Sequence, residues 1–257
     1  MRALALLVAL AGCGRLGFGD GGDKLDARTG DAIGGDGAPD DSGEVACSPA
    51  FQICDGFETG INTGVWSADP MVTVDTTRAH RGTSSVHVHT PAFAPNTNSY
   101  QSLFQSDTIM ANPSVFWIRG WFWLSALPAS GNGMELMTAE QPGNNGDYVF
   151  VFSDSTHIYT QYGSGSKITM TTVPIGQWFC LTWKVVRSTT TTGSLELTGD
   201  LGTLLLPNVI TDSATSPMTM VTLGVGFASS NTPSAQPALD LWIDDVIADD
   251  GPISCAD

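Results

Sequence analysis

The sequence predicts an all-β fold, a single antiparallel β-sandwich, and three observations point to it. Apolar and polar residues alternate with the two-residue period of an extended strand in many short runs, and no helical period persists for a useful length. Clusters of Gly, Pro and Asn separate these runs, as turns do between antiparallel strands. The chain has 257 residues, including 29 Gly and 7 Trp, which suits one large β domain.

Residues 1–13 predict an export signal. Arg2 provides a basic start, and the apolar run Ala3–Ala11 is too short to span a bilayer. The run ends in Leu10-Ala11-Gly12-Cys13, which resembles the lipobox of bacterial lipoproteins, in which the Cys thiol is acylated. We therefore expect lipidation of Cys13 and anchoring to a bacterial membrane, at the outer membrane or the cell surface. The alternative is an ordinary signal peptide with a chance Cys.

Residues 14–46 are rich in Gly and Asp and carry almost no large apolar side chains. Such a segment cannot bury enough surface to offset its ordering entropy, so it predicts a disordered tether. The sandwich domain is then expected over residues 47–257.

Ten segments of this domain fit the strand pattern, and turn signals such as Pro113, Pro128 and Gly131-Asn132-Gly133 lie between them. In chain order the segments are Val72–Val74, Ser85–His89, Val115–Leu124, Met134–Thr138, Tyr148–Phe152, Ile158–Tyr162, Trp178–Val186, Ser194–Thr198, Val221–Phe227 and Leu239–Ile247.

Four cysteines remain in the domain, which is an even number in an exported chain and predicts disulfides. Three pairings of Cys47, Cys54, Cys180 and Cys255 are possible. We favour Cys47–Cys54 as a local clamp and Cys180–Cys255 as a long staple that fixes the C-terminal tail.

The last predicted strand ends in two adjacent carboxylates. Strict alternation places Asp245 with the inward apolar residues of the strand, and places Asp244 on the other side. A carboxylate in a strand core needs a partner or a cation. The alternative is that both side chains lie at a solvated strand end.

Several motifs resemble the concanavalin-A-like jelly rolls, and most of all the glucuronan-lyase-like polysaccharide lyases and the related fungal secreted cellulose-induced proteins. The resemblance covers residues 54–255 and implies a jelly-roll sandwich. The motifs are Asp55-Gly56-Phe57-Glu58-Thr59-Gly60, Trp66, residues 74–85, residues 117–124, Gly176-Gln177-Trp178-Phe179-Cys180, residues 241–246 and Ile253-Ser254-Cys255.

The same resemblance implies a structural Ca²⁺ ion. The carried-over ligands are the carboxylates of Glu58 and Asp245 and the main-chain carbonyls of Arg81 and Ser84. Ca²⁺ accepts such a mixture of hard oxygen ligands. The alternative is that Glu58 and Asp245 are plain surface carboxylates.

One face of segment 115–124 is unusually aromatic. It carries Trp117, Arg119, Trp121 and Trp123, whereas the opposite face is an ordinary apolar core face. Tryptophan rings stack on sugars and Arg binds hydroxyls or carboxylates, so this face predicts carbohydrate binding. The alternative is that a neighbouring loop covers these rings as a second core.

His157, Tyr159 and Gln161 share one strand face and are residue types that a lyase uses. A uronan lyase needs a base beside the sugar carboxylate and a group that neutralises this carboxylate. His157 or Tyr159 would be the base, and Arg119 or Gln161 would neutralise. However, no Arg occurs in 148–152, where lyases of the family place one.

Two further pairs carry weaker predictions. His87 and His89 point off one strand face, but no third metal ligand has a set spacing. Glu135-Leu136-Met137-Thr138-Ala139-Glu140 resembles the Glu-x-Asp-x-x-Glu motif of retaining glycosidases from neighbouring families on this fold, but it lacks the middle Asp. The odd separation of Glu135 and Glu140 also places them on opposite faces of a regular strand unless a bulge intervenes, so glycoside hydrolysis is not expected.

The formal net charge is −16, which excludes a nucleic-acid partner and disfavours polyanionic glycans. We therefore expect a monomeric lipoprotein that binds a polysaccharide or a cell-surface glycan without cleaving it. The alternatives are a polysaccharide lyase that acts by β-elimination, and a purely structural or adhesive role.

Overall fold

The computed structural model describes residues 51–105, 114–141, 145–161, 165–188, 190–211 and 220–256. Its strands are β1 (Ile53–Asp55), β2 (Ser67–Ala68), β3 (Val72–Asp75), β4 (Ser85–Thr90), β5 (Ser99–Gln105), β6 (Val115–Leu124), β7 (Met134–Gln141), β8 (Asn145–Val151), β9 (Thr156–Thr160), β10 (Gly165–Thr169), β11 (Trp178–Val186), β12 (Gly193–Gly199), β13 (Leu204–Val209), β14 (Met220–Phe227) and β15 (Leu239–Asp249). A short 3₁₀ turn spans Ser229–Asn231. The predicted signal, Cys13, the tether and Cys47 lie outside the described residues.

The strands form two antiparallel sheets, which confirms the predicted all-β sandwich. Sheet A has the order β13-β12-β11-β6-β15-β4-β3, with β1 paired to β15. Sheet B has the order β10-β9-β8-β7-β14-β5-β2. Within the described ranges there is no α-helix, and no helix that is long and apolar enough to cross a membrane.

The core lies between the two sheets. Phe122, Trp183 and Leu241 from sheet A and Val149 and Leu223 from sheet B are fully buried in it. Burial of each such side chain stabilises the fold by roughly 1.5–3 kcal/mol. The other side of each sheet faces away from this core, and we call these two surfaces the outer A face and the outer B face.

Strand β15 does not alternate as predicted. Its pairing with β6 shifts register between Asp244 and Ile247, and Asp245 has a φ of 49°. This bulge adds a residue, so that Val246 and Ala248, rather than Asp245, continue the inward apolar set. The prediction that Asp245 points inward is therefore wrong, and its carboxylate contacts the ring of His80 instead.

The C-terminal tail is fixed to the outer A face. Cys180 and Cys255 form the long disulfide that the sequence favours. Cys54 is also disulfide-bonded. Arg119 is fully buried beside this tail, where it donates hydrogen bonds to the carbonyls of Ser254 (3.2 Å) and Asp245 (3.3 Å).

Candidate functional site

A groove runs across the outer B face and consists of two adjoining hollows that share Glu135. The aromatic hollow has a volume of about 580 Å³ and is lined by side chains of β8 and β9. The acidic hollow has a volume of about 460 Å³ and is lined mainly by β5, β7 and β14. The groove therefore crosses five neighbouring strands of sheet B.

Strand β9 places His157 and Tyr159 in the aromatic hollow, and Gln161 follows directly after the strand. The intervening Ile158 and Thr160 are buried, so these three side chains share one face as the alternation predicts.

Five rings form a continuous cluster in this hollow. The ring centroids of Tyr148 and Phe150 are 5.4 Å apart, those of Phe150 and Phe152 are 6.2 Å apart, and Phe152 lies 4.3 Å from His157. Tyr159 lies 6.1 Å from Tyr148. Phe152, His157 and Tyr159 are partly exposed, whereas Tyr148 and Phe150 are nearly buried beneath them, and all five line the hollow as one apolar platform.

Polar groups at the platform have fixed partners. The Tyr148 hydroxyl donates to Oε1 of Gln161 (3.1 Å), and Nε2 of His157 lies 3.1 Å from the Ser155 hydroxyl. Burial lowers the pKa of His157, and the charge of Asp154 opposes this only in part. His157 is thus neutral at pH 7 and can exchange hydrogen bonds with a sugar hydroxyl.

The acidic hollow contains Glu135 and Glu140 together. The pairing of β7 with β8 shifts register between Glu135 and Met137, which turns Met137 and Ala139 into the core and both carboxylates outward. The exception named for this pair therefore applies: a bulge intervenes, and the two residues share one face.

The two carboxylates influence each other and a nearby phenol. Burial, and then the charge of Glu140, raise the pKa of Glu135 to about 7. Burial, together with both carboxylates, raises the pKa of Tyr100 to about 12, so its hydroxyl stays protonated.

Two glycines form the floor of the acidic hollow. Gly224 and Gly226 lie on β14 between the core residues Leu223, Val225 and Phe227. A Cβ at Gly226 would lie 3.1 Å from Oε2 of Glu135 and 3.2 Å from Cδ1 of Tyr100. The absence of side chains at this position creates the space between the two groups.

The predicted carbohydrate face of Trp117, Trp121 and Trp123 lies on sheet A, not in this groove. Trp121 stacks on His80 with ring centroids 3.6 Å apart, and the guanidinium of Arg78 lies 3.8 Å above Trp123. The loop that follows β3 therefore contacts one side of each of these two rings, which both stay partly exposed, and Trp121 also lines a cavity of the outer A face.

Trp117 lies near a cation of its own sheet, since the Lys184 ammonium is 5.3 Å from its ring. Arg119 is buried beneath the tail on the same sheet. The grouping of Arg119 with His157, Tyr159 and Gln161 is thus wrong, because strand order places them on opposite sheets.

Two of the predicted Ca²⁺ ligands, Glu58 and Asp245, contact the turn 80–84 at different residues. The carboxylate of Glu58 accepts hydrogen bonds from the N–H groups of Thr83 (2.9 Å) and Ser84 (3.1 Å). Burial alone would raise the pKa of Glu58, but these bonds and the one from the Thr83 hydroxyl outweigh it and lower the pKa. Gly82 has a φ of 66° and packs directly against this carboxylate.

Asp244 and Asp245 contact the other end of the same turn. Asp244 accepts the N–H groups of His80 (2.7 Å) and Arg81 (3.3 Å), and Oδ2 of Asp245 lies 2.6 Å from Nδ1 of His80. Burial, and then the charge of Asp245, raise the pKa of Asp244 to about 7. Asp244 and Asp245 thus place two buried carboxyl groups side by side, where each disfavours ionisation of the other.

His87 and His89 share a carboxylate partner on the adjacent strand. Oδ1 of Asp240 lies 2.9 Å from Nε2 of His87 and 2.7 Å from Nδ1 of His89. In the part of the chain that the structure describes, no group of three His, Cys, Asp or Glu side chains is arranged to hold a metal ion.

No protein-family model and no curated protein matches the chain. Solved structures do match it. The fold is a jelly roll. The cellulose-induced protein Cip1 aligns with a TM-score of 0.59 at 17% identity, over 79% of this chain and 100% of that one. The endo-β-1,4-glucuronan lyase of Trichoderma reesei aligns with a TM-score of 0.54 at 14% identity, over 79% and 92% of the two chains.

The PL-14 alginate lyase of Aplysia kurodai also aligns, with a TM-score of 0.50 at 8% identity, over 71% of this chain and 88% of that one. At these identities the likeness is one of fold. It confirms the jelly-roll class that the motifs imply.

Sequence reasoning missed the acidic hollow. The signal for it was present in Leu223-Gly224-Val225-Gly226-Phe227, where glycines occupy both outward positions between three apolar residues. Glycine inside a strand marks a close approach of backbone or ligand.

Proposed function

We propose that the domain binds a neutral polysaccharide in the groove of the outer B face. The observation that carries this proposal is the platform of five rings, which includes Phe150, Phe152 and Tyr159, beside a hollow with polar groups. Sugar rings present flat C–H surfaces that pack on aromatic side chains, while their hydroxyls bind polar groups at the edges.

The charge of the groove favours a neutral glycan over a uronan. Glu135 and Glu140 lie within it, and its described lining contains neither Lys nor Arg. A chain of uronic carboxylates would meet like charge there, and the chain as a whole has a net charge of −16.

The lyase alternative loses its strongest neutralising residue. Arg119 lies on the opposite sheet, so of the two predicted neutralising residues only Gln161 lies beside His157 and Tyr159. The solved structures of similar fold include proteins named for cellulose induction and for glucuronan cleavage, which supports a carbohydrate partner of this chain without selecting cleavage.

Calorimetric titration with neutral glucan, xylan and mannan oligosaccharides tests the proposal. The described groove lining contains no Trp, so calorimetry suits this groove better than Trp fluorescence. We expect Tyr159→Ala and Phe152→Ala to weaken binding by at least about tenfold, because each removes a ring from the platform.

Trp117→Ala is the matched control, since it removes a half-buried ring from the outer A face. Its affinity should equal that of the unaltered protein. An equal loss in all three variants, or no binding to any neutral glycan, would contradict the proposal.

We also propose that Glu58 and Asp245 hold a structural Ca²⁺ ion, together with the main-chain carbonyls of Arg81 and Ser84. The support is that Glu58 and the Asp244–Asp245 pair contact the two ends of one short turn. Backbone carbonyls must supply the remaining ligands, which Ca²⁺ accepts. The ion would fix the start of the domain to its last strand.

We further propose that the chain is exported and anchored through Cys13. The Cys180–Cys255 disulfide supports export, because such bonds persist in oxidising compartments. A Cys13→Ser variant should then move from the membrane fraction to the soluble fraction.

A further inference from the structure

Glu135 occupies the junction of the groove. It is the one carboxylate that lines both hollows, so a glycan that crosses from the aromatic platform to the acidic hollow passes it. Glu140 lies in the same acidic hollow, five residues further along β7, and is close enough to act on the ionisation of Glu135. The bulge of β7 is what brings both onto one face.

Space for a substrate exists beside this pair. Gly226 faces Glu135 across the β7–β14 pairing, and Gly224 lies in the same hollow without a side chain. The Tyr100 hydroxyl stays protonated and can donate a hydrogen bond to a sugar oxygen. The pair is thus set in a cavity that is both lined by polar groups and continuous with an aromatic platform.

Hydrolysis of a glycosidic bond requires two carboxyl groups in different protonation states. One must hold a proton at neutral pH and the other must be ionised. Burial and the Glu140 charge keep Glu135 protonated up to about pH 7.

We propose that Glu135 and Glu140 are catalytic residues that hydrolyse a glycosidic bond of the neutral polysaccharide bound in the groove. This inference rests on the proposed glycan binding, and it adds an activity to it.

The step balances as an acid–base hydrolysis. Glu135 gives its proton to the bridging oxygen while the bond between this oxygen and the anomeric carbon breaks. Glu140 takes a proton from a water molecule, whose oxygen forms the new bond to the anomeric carbon. One new reducing end and one new hydroxyl result, and the proton on Glu140 returns to Glu135 through solvent.

The test measures new reducing ends after incubation of the protein with neutral glucans, xylans and mannans. General acid–base catalysis contributes about 10²–10⁴-fold, so Glu135→Gln and Glu140→Gln should each lower the rate by at least about 100-fold. Glycan affinity by calorimetry should stay within about threefold in both variants, since Gln keeps the shape and polarity of Glu.

Glu196→Gln is the matched control. It makes the same change on sheet A, where Glu196 pairs with Lys184 (3.7 Å), and it should leave the rate unchanged.

The rate of the unaltered protein should fall above about pH 7, as Glu135 loses its proton. The titratable groups that face Glu135 are Glu140, Tyr100, Tyr148, Tyr159 and His157. Of these, His157 has a lowered pKa and therefore loses its proton below this range.

The outcomes separate the two proposals. Binding of a neutral glycan without new reducing ends would overturn the catalytic inference and leave the binding proposal intact. A full rate in Glu135→Gln, or unsaturated products that absorb in the ultraviolet, would overturn it as well. Absence of binding to every neutral glycan would overturn the binding proposal itself.

Discussion

At the scale of single residues, two glycines of β14 have different structural roles. A Cβ at Gly224 would lie 2.6 Å from the carbonyl oxygen of Gln101 and 2.7 Å from Cα of Ser102, which are backbone atoms of the paired strand. The atoms nearest to a Cβ at Gly226 would be Cβ and Oε2 of Glu135 and Cδ1 of Tyr100, at 3.1–3.2 Å, and the last two belong to parts of side chains that can move. Gly224 thus permits close strand pairing, whereas Gly226 leaves the groove open.

We therefore predict opposite effects of two Ala substitutions. Gly224→Ala should destabilise the fold by roughly 1–3 kcal/mol, as overpacking against fixed backbone does. Gly226→Ala should cost less than about 1 kcal/mol but weaken binding of a neutral glycan by about tenfold, since the new methyl group shifts Glu135 and Tyr100 into the hollow. Thermal melts and calorimetry on both variants measure this. Equal melting temperatures and equal glycan affinities in the two variants would contradict the different roles given to Gly224 and Gly226.

At the scale of one element, β15 connects the parts of the outer A face. Its outward residues include Asp240, which binds His87 and His89, and Trp242, which donates its indole N–H to Asp75 (2.6 Å). Its bulge presents Asp244 and Asp245 to the turn 80–84, and its end pairs with β1. The acidic end of the strand is therefore a junction between the first and last segments of the domain.

This placement makes the Ca²⁺ proposal testable in the intact protein. Ca²⁺ at about 100 times its Kd should stabilise the unaltered protein by roughly 3 kcal/mol relative to excess chelator, because it binds only the folded state. Asp245→Ala should abolish this increment, and Asp249→Ala, at the far end of the same strand, should keep it. Thermal melts in Ca²⁺ and in chelator give the values. An equal Ca²⁺ increment in Asp245→Ala and the unaltered protein would refute the site.

At the scale of the whole molecule, sequence periodicity determined the fold class and the long central strands. The bounds of β6 and β11 agree with the prediction to the residue, because both strands bury one continuous apolar face. Strands β1, β2, β5, β10 and β13 were missed, since they are short or mix polar residues into the apolar pattern.

The site was harder to predict than the fold, for two physical reasons. Bulges at Asp245 and beside Glu135 shift the alternation by one residue, and a local pattern does not reveal such an insertion. Sheet membership is non-local as well, so strand order separates Trp121 from His157 although both face outward. The sequence did predict the shared face of His157, Tyr159 and Gln161, because β9 is regular and Gln161 directly follows it.

The net charge of −16 gives a prediction for the molecule as a whole. Charge interactions at a surface extend about 30 Å at 0.01 M salt and about 3 Å at 1 M salt. Affinity for a neutral glycan in the groove should change less than about twofold between these concentrations, because stacking and neutral hydrogen bonds carry it. A uronan of equal length should show no binding at low salt, where like-charge repulsion is strongest. Titrations at both salt concentrations, with the two glycans in parallel, provide the measurement. Uronan binding that is tightest at low salt would require a basic surface, and would show that the acidic groove is not where this protein meets its glycan.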